Sequence, residues 1–258
     1  MKSFNNAYVD TSIIQIILVL IIGIVIGIVI DNIFNTTIWL EFTEICFVIF
    51  IVFKIRKSKD SIQMQFKNLS NNFPFKTVII LLILNLLFSI GVAIVLENLT
   101  PFIPFLGVSE GTIVDKTNLL FFLGSFLSTV ILAPLAEELF FRGVLFSKIS
   151  SYTTISIGII ISSILFGLLH GVDGFIGALV FGMCMCILFL KTSNILITMT
   201  VHFLNNLIAS CLELANLDNL TAGINVPDIA VVLIAIIIVI ISAYFLFRFI
   251  IGEWRSLT

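Results

Sequence analysis

Apolar runs long enough to cross a bilayer recur along this chain, and they restrict its fold more than any other feature. Roughly 20 apolar residues span a bilayer as a helix. Eight segments approach that length: Ser12–Ile30, Ile38–Phe53, Thr77–Leu96, Asn118–Ser147, Thr154–His170, Phe175–Leu190, Ile195–Leu212 and Ile229–Ile251. Lipid gives an open sheet edge nothing to bond with, so helices are the form these runs can take. The expected class is all-α, a polytopic membrane bundle of about eight transmembrane helices. Composition agrees: only 11% of the residues are charged, against about a quarter in soluble domains. The first run has no small-residue cleavage site and more spans follow it, so it reads as a retained span. A net charge of −2 without an extended basic face points to the lipid bilayer as partner and away from nucleic acid.

Three stretches of one integral membrane domain can be distinguished. Residues 1–117 hold the first spans and a basic loop, 118–212 a core rich in unusual polar residues, and 213–258 a last span. The loop after the second segment carries Lys54, Arg56, Lys57, Lys59, Lys67 and Lys76 against Asp60 alone. Basic loops stay in the cytoplasm. With eight spans, Lys148, Lys191, Arg248 and Arg255 share that side. Loops holding Glu97, Glu110, Asp115, Glu213, Asp218 and Asp228, with Pro101 and Pro104 in the longest, fall opposite. Both termini are expected to be cytoplasmic. Glu41 and Glu44 begin the second segment, where a helix dipole favours acids, and read as solvated interfacial residues. Gly23 and Gly27 form a G-x-x-x-G pair, read as intramolecular packing rather than a dimer face; oligomeric state stays open. Cys46, Cys184, Cys186 and Cys211 show no disulfide or zinc spacing and read as buried small hydrophobes.

Polar residues inside apolar segments mark function, because an ionised side chain at membrane depth costs on the order of 3 kcal/mol. The stretch Ala133–Arg142 reads APLAEELFFR and carries Glu137, Glu138 and Arg142. On a helix Glu138 and Arg142 are one turn apart and can pair. Glu137 lies about 100° round the axis, which leaves it for chemistry. The fifth segment places Phe166 four residues before His170, and the seventh places His202 four before Asn206. These are the only two histidines in the protein. A carboxylate near a histidine in a dry cavity can take a proton from water. An imidazole N–H and an asparagine amide one turn apart suit the oxyanion of a tetrahedral intermediate. No serine or cysteine has a comparable setting, so the expected nucleophile is water. A divalent zinc ion held by Glu137, His170 and His202 is the metal alternative. The chain has no H-E-x-x-H signature, and the metal-free reading is preferred.

In order, Glu137-Glu138-Leu139-Phe140-Phe141-Arg142, Phe166-Gly167-Leu168-Leu169-His170 and His202-Phe203-Leu204-Asn205-Asn206 resemble the motifs of the CPBP (ABI) intramembrane proteases. That family includes CAAX prenyl endopeptidases and bacteriocin self-immunity proteins. The resemblance covers about Leu119 to Cys211. It implies a bundle of eight-helix type with a polar cavity opening into the bilayer. It further implies Glu137 as water-activating base with His170 as its partner, Glu138 and Arg142 shaping the site, and His202 and Asn206 stabilising the oxyanion. Both metal-dependent and metal-independent mechanisms have been put forward for the family, so zinc stays open on this ground too.

The expected activity is endopeptidase cleavage of a membrane-associated or lipophilic peptide. The alternatives are a non-catalytic scaffold or bacteriocin-immunity protein using the same cavity, and a small transporter or proton relay. Clustering of both histidines with Asn206, and few polar residues elsewhere along a path, argue against the last. The phenylalanine load (26 residues) and thin charge suggest a bacterial cytoplasmic membrane. At 1.5 Å per residue, Glu137 lies about 20 Å from the turn near Ser150, which places the cluster mid-membrane; either a tilted helix or re-entrant turn shortens that depth, or the protein works on exported peptides.

Overall fold

The computed structural model describes residues 6–58, 61–69, 73–99, 102, 119–215 and 228–257. Lys59, Asp60, Pro101, Pro104, Glu110, Asp115, Asn118 and Asp218 lie outside them. The described residues form helices and no strand. In chain order these are α1 (Asn6–Val9), α2 (Ile13–Phe34), α3 (Trp39–Ile55), α4 (Ile62–Leu69), α5 (Phe75–Leu99) and α6 (Leu119–Leu127). They continue with α7 (Ala133–Glu138), α8 (Ser147–Tyr152), α9 (Ile155–Leu168), α10 (Gly171–Thr192), α11 (Ile195–Leu214) and α12 (Asp228–Leu257). Five of these helices, α2, α5, α10, α11 and α12, are long and apolar enough to cross a membrane. The architecture is that of a polytopic membrane helical bundle.

The segment read from sequence as one helix over Asn118–Ser147 departs from a plain α-helix. It runs on to Tyr152 and includes π-helical stretches at Ser128–Leu132 and Leu139–Phe146. The first has a local cause. Pro134 has no N–H to give, and its ring crowds the carbonyl four residues back. Just before it, the Ala133 N–H reaches five residues back to the Ser128 carbonyl, closing a wide turn. The second π stretch follows Glu138 directly and carries Arg142.

The chain forms two compact units. The first comprises Met1–Phe73, Lys116–Gly158 and Asn194–Phe203. Its α2 and α3 make a tight helical hairpin. Asp31 closes the turn: Oδ1 accepts from the Thr36 hydroxyl and the Ile38 N–H, both at 2.8 Å, and Oδ2 from the Trp39 N–H at 3.1 Å. The Gly23–Gly27 pair lies on the face of α2 against α3. A Cβ at Gly27 would come within 2.6 Å of the Trp39 Cα, and one at Gly23 within 3.0 Å of the Thr43 Cα. These glycines therefore serve packing inside the chain, as expected. On α3 the buried residues Thr43, Phe47, Ile51 and Ile55 recur every four positions, the spacing of one helical face. Phe47 meets Phe140 edge-on, with ring centroids 5.7 Å apart. The buried ring of Tyr8 packs at Gly143. Lys148, expected in a cytoplasmic turn, is buried, and its Nζ donates to the Val9 carbonyl.

The second unit comprises Pro74–Asp115, Ile159–Ser193 and Leu204–Thr258. In it α5, α10 and α12 pack together. On α5, Val78, Leu81, Leu82, Asn85, Phe88, Gly91 and Val92 form one buried stripe. The Asn85 amide donates to the Leu81 carbonyl at 2.8 Å, so part of that buried polar group is satisfied within its own helix. Lys191 at the end of α10 pairs with Glu253 on α12 at 2.5 Å. Cys184 and Cys186 are buried on α10 and Cys46 is half-buried on α3; Cys211 is exposed on α11, against expectation. All four are free thiols.

Candidate active site

In the first unit, Glu137 and Glu138 close α7. Neighbouring helical positions point about 100° apart, and the two carboxylates meet different surroundings. Glu138 is fully buried, while the Glu137 side chain is 23% exposed. Glu138 and Arg142 form the pair that their spacing predicts, with Nη1 donating to Oε1 at 2.9 Å and both side chains out of solvent. Isolated buried charges cost several kcal/mol each, about what good pairing geometry offsets. A third partner enters from α11: Nδ1 of His202 lies 3.0 Å from the same Glu138 Oε1. A carboxylate oxygen of this kind accepts, so Nδ1 carries the proton and donates. The Thr198 hydroxyl, which donates to the Ile195 carbonyl at 2.9 Å, sits beside the same carboxylate.

That anchoring fixes the His202 ring and turns its other nitrogen outward. Nε2 stands 3.8 Å from Glu137 Oε2, an ion-pair distance beyond direct hydrogen bonding. Glu137 Oε2 is itself buried and accepts no hydrogen bond among the described residues. Four of the sequence-predicted residues, Glu137, Glu138, Arg142 and His202, thus form one connected cluster. Two further acids belong to its surroundings. Glu44 on α3 lies within electrostatic reach of Glu137 and of Glu41, and both α3 acids are half-buried. Their expected solvated position is corrected: α3 packs on α7 and brings them inward. Position at a helix start could not show that, and the buried four-residue rhythm of Thr43, Phe47, Ile51 and Ile55 passes through neither acid.

In the second unit, Phe166 is buried near the end of α9 and contacts the ring of His170, centroids 4.5 Å apart. It also stacks with Phe181 at 6.1 Å. His170 is not within a helix, as its apolar segment suggested. The α9 helix ends at Leu168, and His170 occupies the turn before α10. Gly171, at φ +71°, supplies the left-handed residue this turn needs. The His170 Nδ1 donates to the Phe166 carbonyl at 2.9 Å, which in the neutral ring leaves the lone pair on Nε2. Asn206 lies on α11, where its Oδ1 is 3.4 Å from the Asn205 amide.

The zinc alternative is corrected. Among the described residues, no group of three or more His, Cys, Asp or Glu side chains could hold a metal ion. Glu137, His170 and His202 therefore do not make up a zinc ligand set. Glu137 Oε2 and His202 Nε2 offer two donors, one short of the three protein ligands a catalytic zinc takes, and the neighbouring Glu138 Oε1 is already shared by Arg142 and His202.

The protein is thus of the class of all-helical polytopic membrane bundles, and it holds a buried carboxylate–histidine–arginine cluster. Residues 117–208 match the family model described as Rce1-like: Type II CAAX prenyl endopeptidase Rce1-like. A Rce1-like domain of the CAAX-protease type is thus present over part of the chain. The match covers all of Glu137, Glu138, Arg142, Phe166, His170, His202 and Asn206. No curated protein and no solved structure matches the chain.

Proposed function

We propose that this protein is an intramembrane endopeptidase, CAAX-protease-like, that hydrolyses a peptide bond of a membrane-associated or lipophilic peptide with a water activated by Glu137. One observation carries the reading. Arg142 and His202 share a single buried oxygen of Glu138, while His202 turns Nε2 toward a Glu137 oxygen that accepts no hydrogen bond among the described residues. Glu138 holds both partners through Oε1 and is fully buried, whereas Glu137 is partly exposed, so Glu137 is the carboxylate left for proton transfer. The spacing of 3.8 Å between Glu137 Oε2 and His202 Nε2 suits groups that meet through a shared small molecule.

The steps balance without another reactant. Glu137 takes a proton from water as the water oxygen bonds to the scissile carbonyl carbon. The resulting oxyanion collapses, the C–N bond breaks, and the amine leaves with the proton that Glu137 held. With a second proton on its ring, His202 would donate through Nε2 to the oxyanion. Glu137, Glu138, Arg142 and such a ring would then sum to zero charge. By motif resemblance, His170 serves as partner of the base and Asn206 as second oxyanion donor; Phe166, whose ring contacts that of His170, seats it. The reading includes 118–212 as catalytic core, eight spans around a polar cavity, cytoplasmic termini and a bacterial cytoplasmic membrane.

The test compares membrane peptides, by mass spectrometry, from cells expressing wild type and Glu137→Gln. That change keeps the shape of the side chain and removes the base. At least one peptide should persist uncut in the variant, with variant protein present at wild-type levels. Identical peptide profiles would overturn the assignment. Intact biological activity in the variant would favour a non-catalytic, immunity-type binder.

A further inference from the structure

The helix α4 is eight residues long and lies in the stretch that sequence shows as a basic loop. Its orientation is unusual. Met64, Phe66 and Lys67 are exposed, whereas Gln65 is buried. Packing alone would turn Phe66 or Met64 inward and leave the glutamine outside. Gln65 instead meets the start of α11, some 130 residues further along the chain. Its side-chain Oε1 accepts from the Ile195 N–H at 2.7 Å, and its backbone carbonyl accepts from the Asn194 side-chain amide at 2.9 Å. The Asn194 Oδ1 accepts from the Leu196 N–H at 3.0 Å. The first N–H groups of a helix have no partner within it. Here two of them are satisfied, one by the helix's own capping residue and one by a side chain from α4.

The same face of α11 continues to the candidate site. Ile195, Thr198 and His202 follow at spacings of three and four and are all buried. His202 stands about 10 Å along the axis from Ile195, close enough that a rotation or slip of the helix start would displace its ring from Glu138. We infer that Gln65 is a positioning residue, which clamps the start of α11 and thereby holds His202 at Glu138. This rests on the peptidase reading for its meaning, since it assigns Gln65 to the site through His202.

The presence of only two histidines allows a direct test without substrate. In ¹⁵N-histidine-labelled full-length protein in micelles, the two rings are assigned with a His170→Ala reference. Gln65→Met removes the acceptor and keeps the bulk. Gln65→Glu keeps the acceptor and adds a charge that a helix N-terminus favours. The His202 ring resonances should shift in Gln65→Met and stay near wild type in Gln65→Glu, with His170 unmoved in both. Unshifted His202 resonances in folded Gln65→Met, or equal shifts in both variants, would overturn the clamp. If Gln65→Met does not fold, hydrogen exchange in the wild type decides. The Ile195 and Leu196 amides should be as protected as the interior of α11, and Asn194→Ala should speed exchange at Leu196 about fivefold, as loss of a cap does. Rapid exchange at Ile195 in the wild type would sink the proposal. None of these readouts needs hydrolysis, so a failed clamp leaves the peptidase assignment standing, and a failed peptidase assay leaves the clamp.

Discussion

Removing one member of a buried ion pair leaves the other charged and unpaired, whereas changing a carboxylate at the rim costs little. Arg142 and Glu137 should therefore respond differently although they lie five positions apart. Arg142→Met is expected to destabilise the fold by about 3–5 kcal/mol, because Glu138 then keeps only His202 and Thr198 beside it. Glu137→Gln should stay within about 1 kcal/mol of wild type. Thermal unfolding in detergent micelles measures both, and equal losses would show that Glu138 is not the anchor. The pairing of Glu138 with Arg142 was legible in the sequence because four residues make one helical turn. Its bond to His202 was not, since that contact joins positions 64 apart and no local spacing encodes it. The same limit hid Glu44, whose neighbour Glu137 lies on a helix far along the chain.

Helices were easier to read than their irregularities. The apolar runs gave most of the long helices nearly to their ends, because lipid length and backbone satisfaction leave few other solutions. The π-helical stretches on either side of α7 carry no comparable signal; Pro134 could have flagged the first, and nothing in the sequence marks the second. Such widened turns concentrate at functional sites, and here they bracket Glu137 and Glu138. Close helix contacts lie between these cases, since G-x-x-x-G names a candidate face without naming its partner. With the partner known, Gly27→Ala should cost about 1–3 kcal/mol through overpacking, because the new Cβ meets Trp39 backbone. Gly124→Ala, with nothing within 4 Å of its Cβ, is the control. Thermal unfolding of the two variants should differ, and matching midpoints would mean that α2 and α3 can part without penalty.

The molecule as a unit of membrane biology is defined by what it leaves uncovered. Only 17% of the most apolar window of α2, and the same share in α12, is buried inside the protein, against 56% in α10. Isoleucines such as Ile14, Ile229 and Ile240 on these helices are more than half exposed, which in lipid is their preferred state. A charge there faces hydrocarbon directly. Ile240→Arg should reduce integration of α12 by about 2.5–3.5 kcal/mol, read as the membrane-integrated fraction in a glycosylation-mapping assay. Unchanged integration would mean that this face meets protein or water. The turn between α2 and α3 has a different consequence. Asp31 draws all its bonds from residues no more than eight positions ahead, so the corner can close as soon as the start of α3 has been synthesised. The hairpin of α2 and α3 can thus be complete before the residues of the proposed chemistry have left the ribosome.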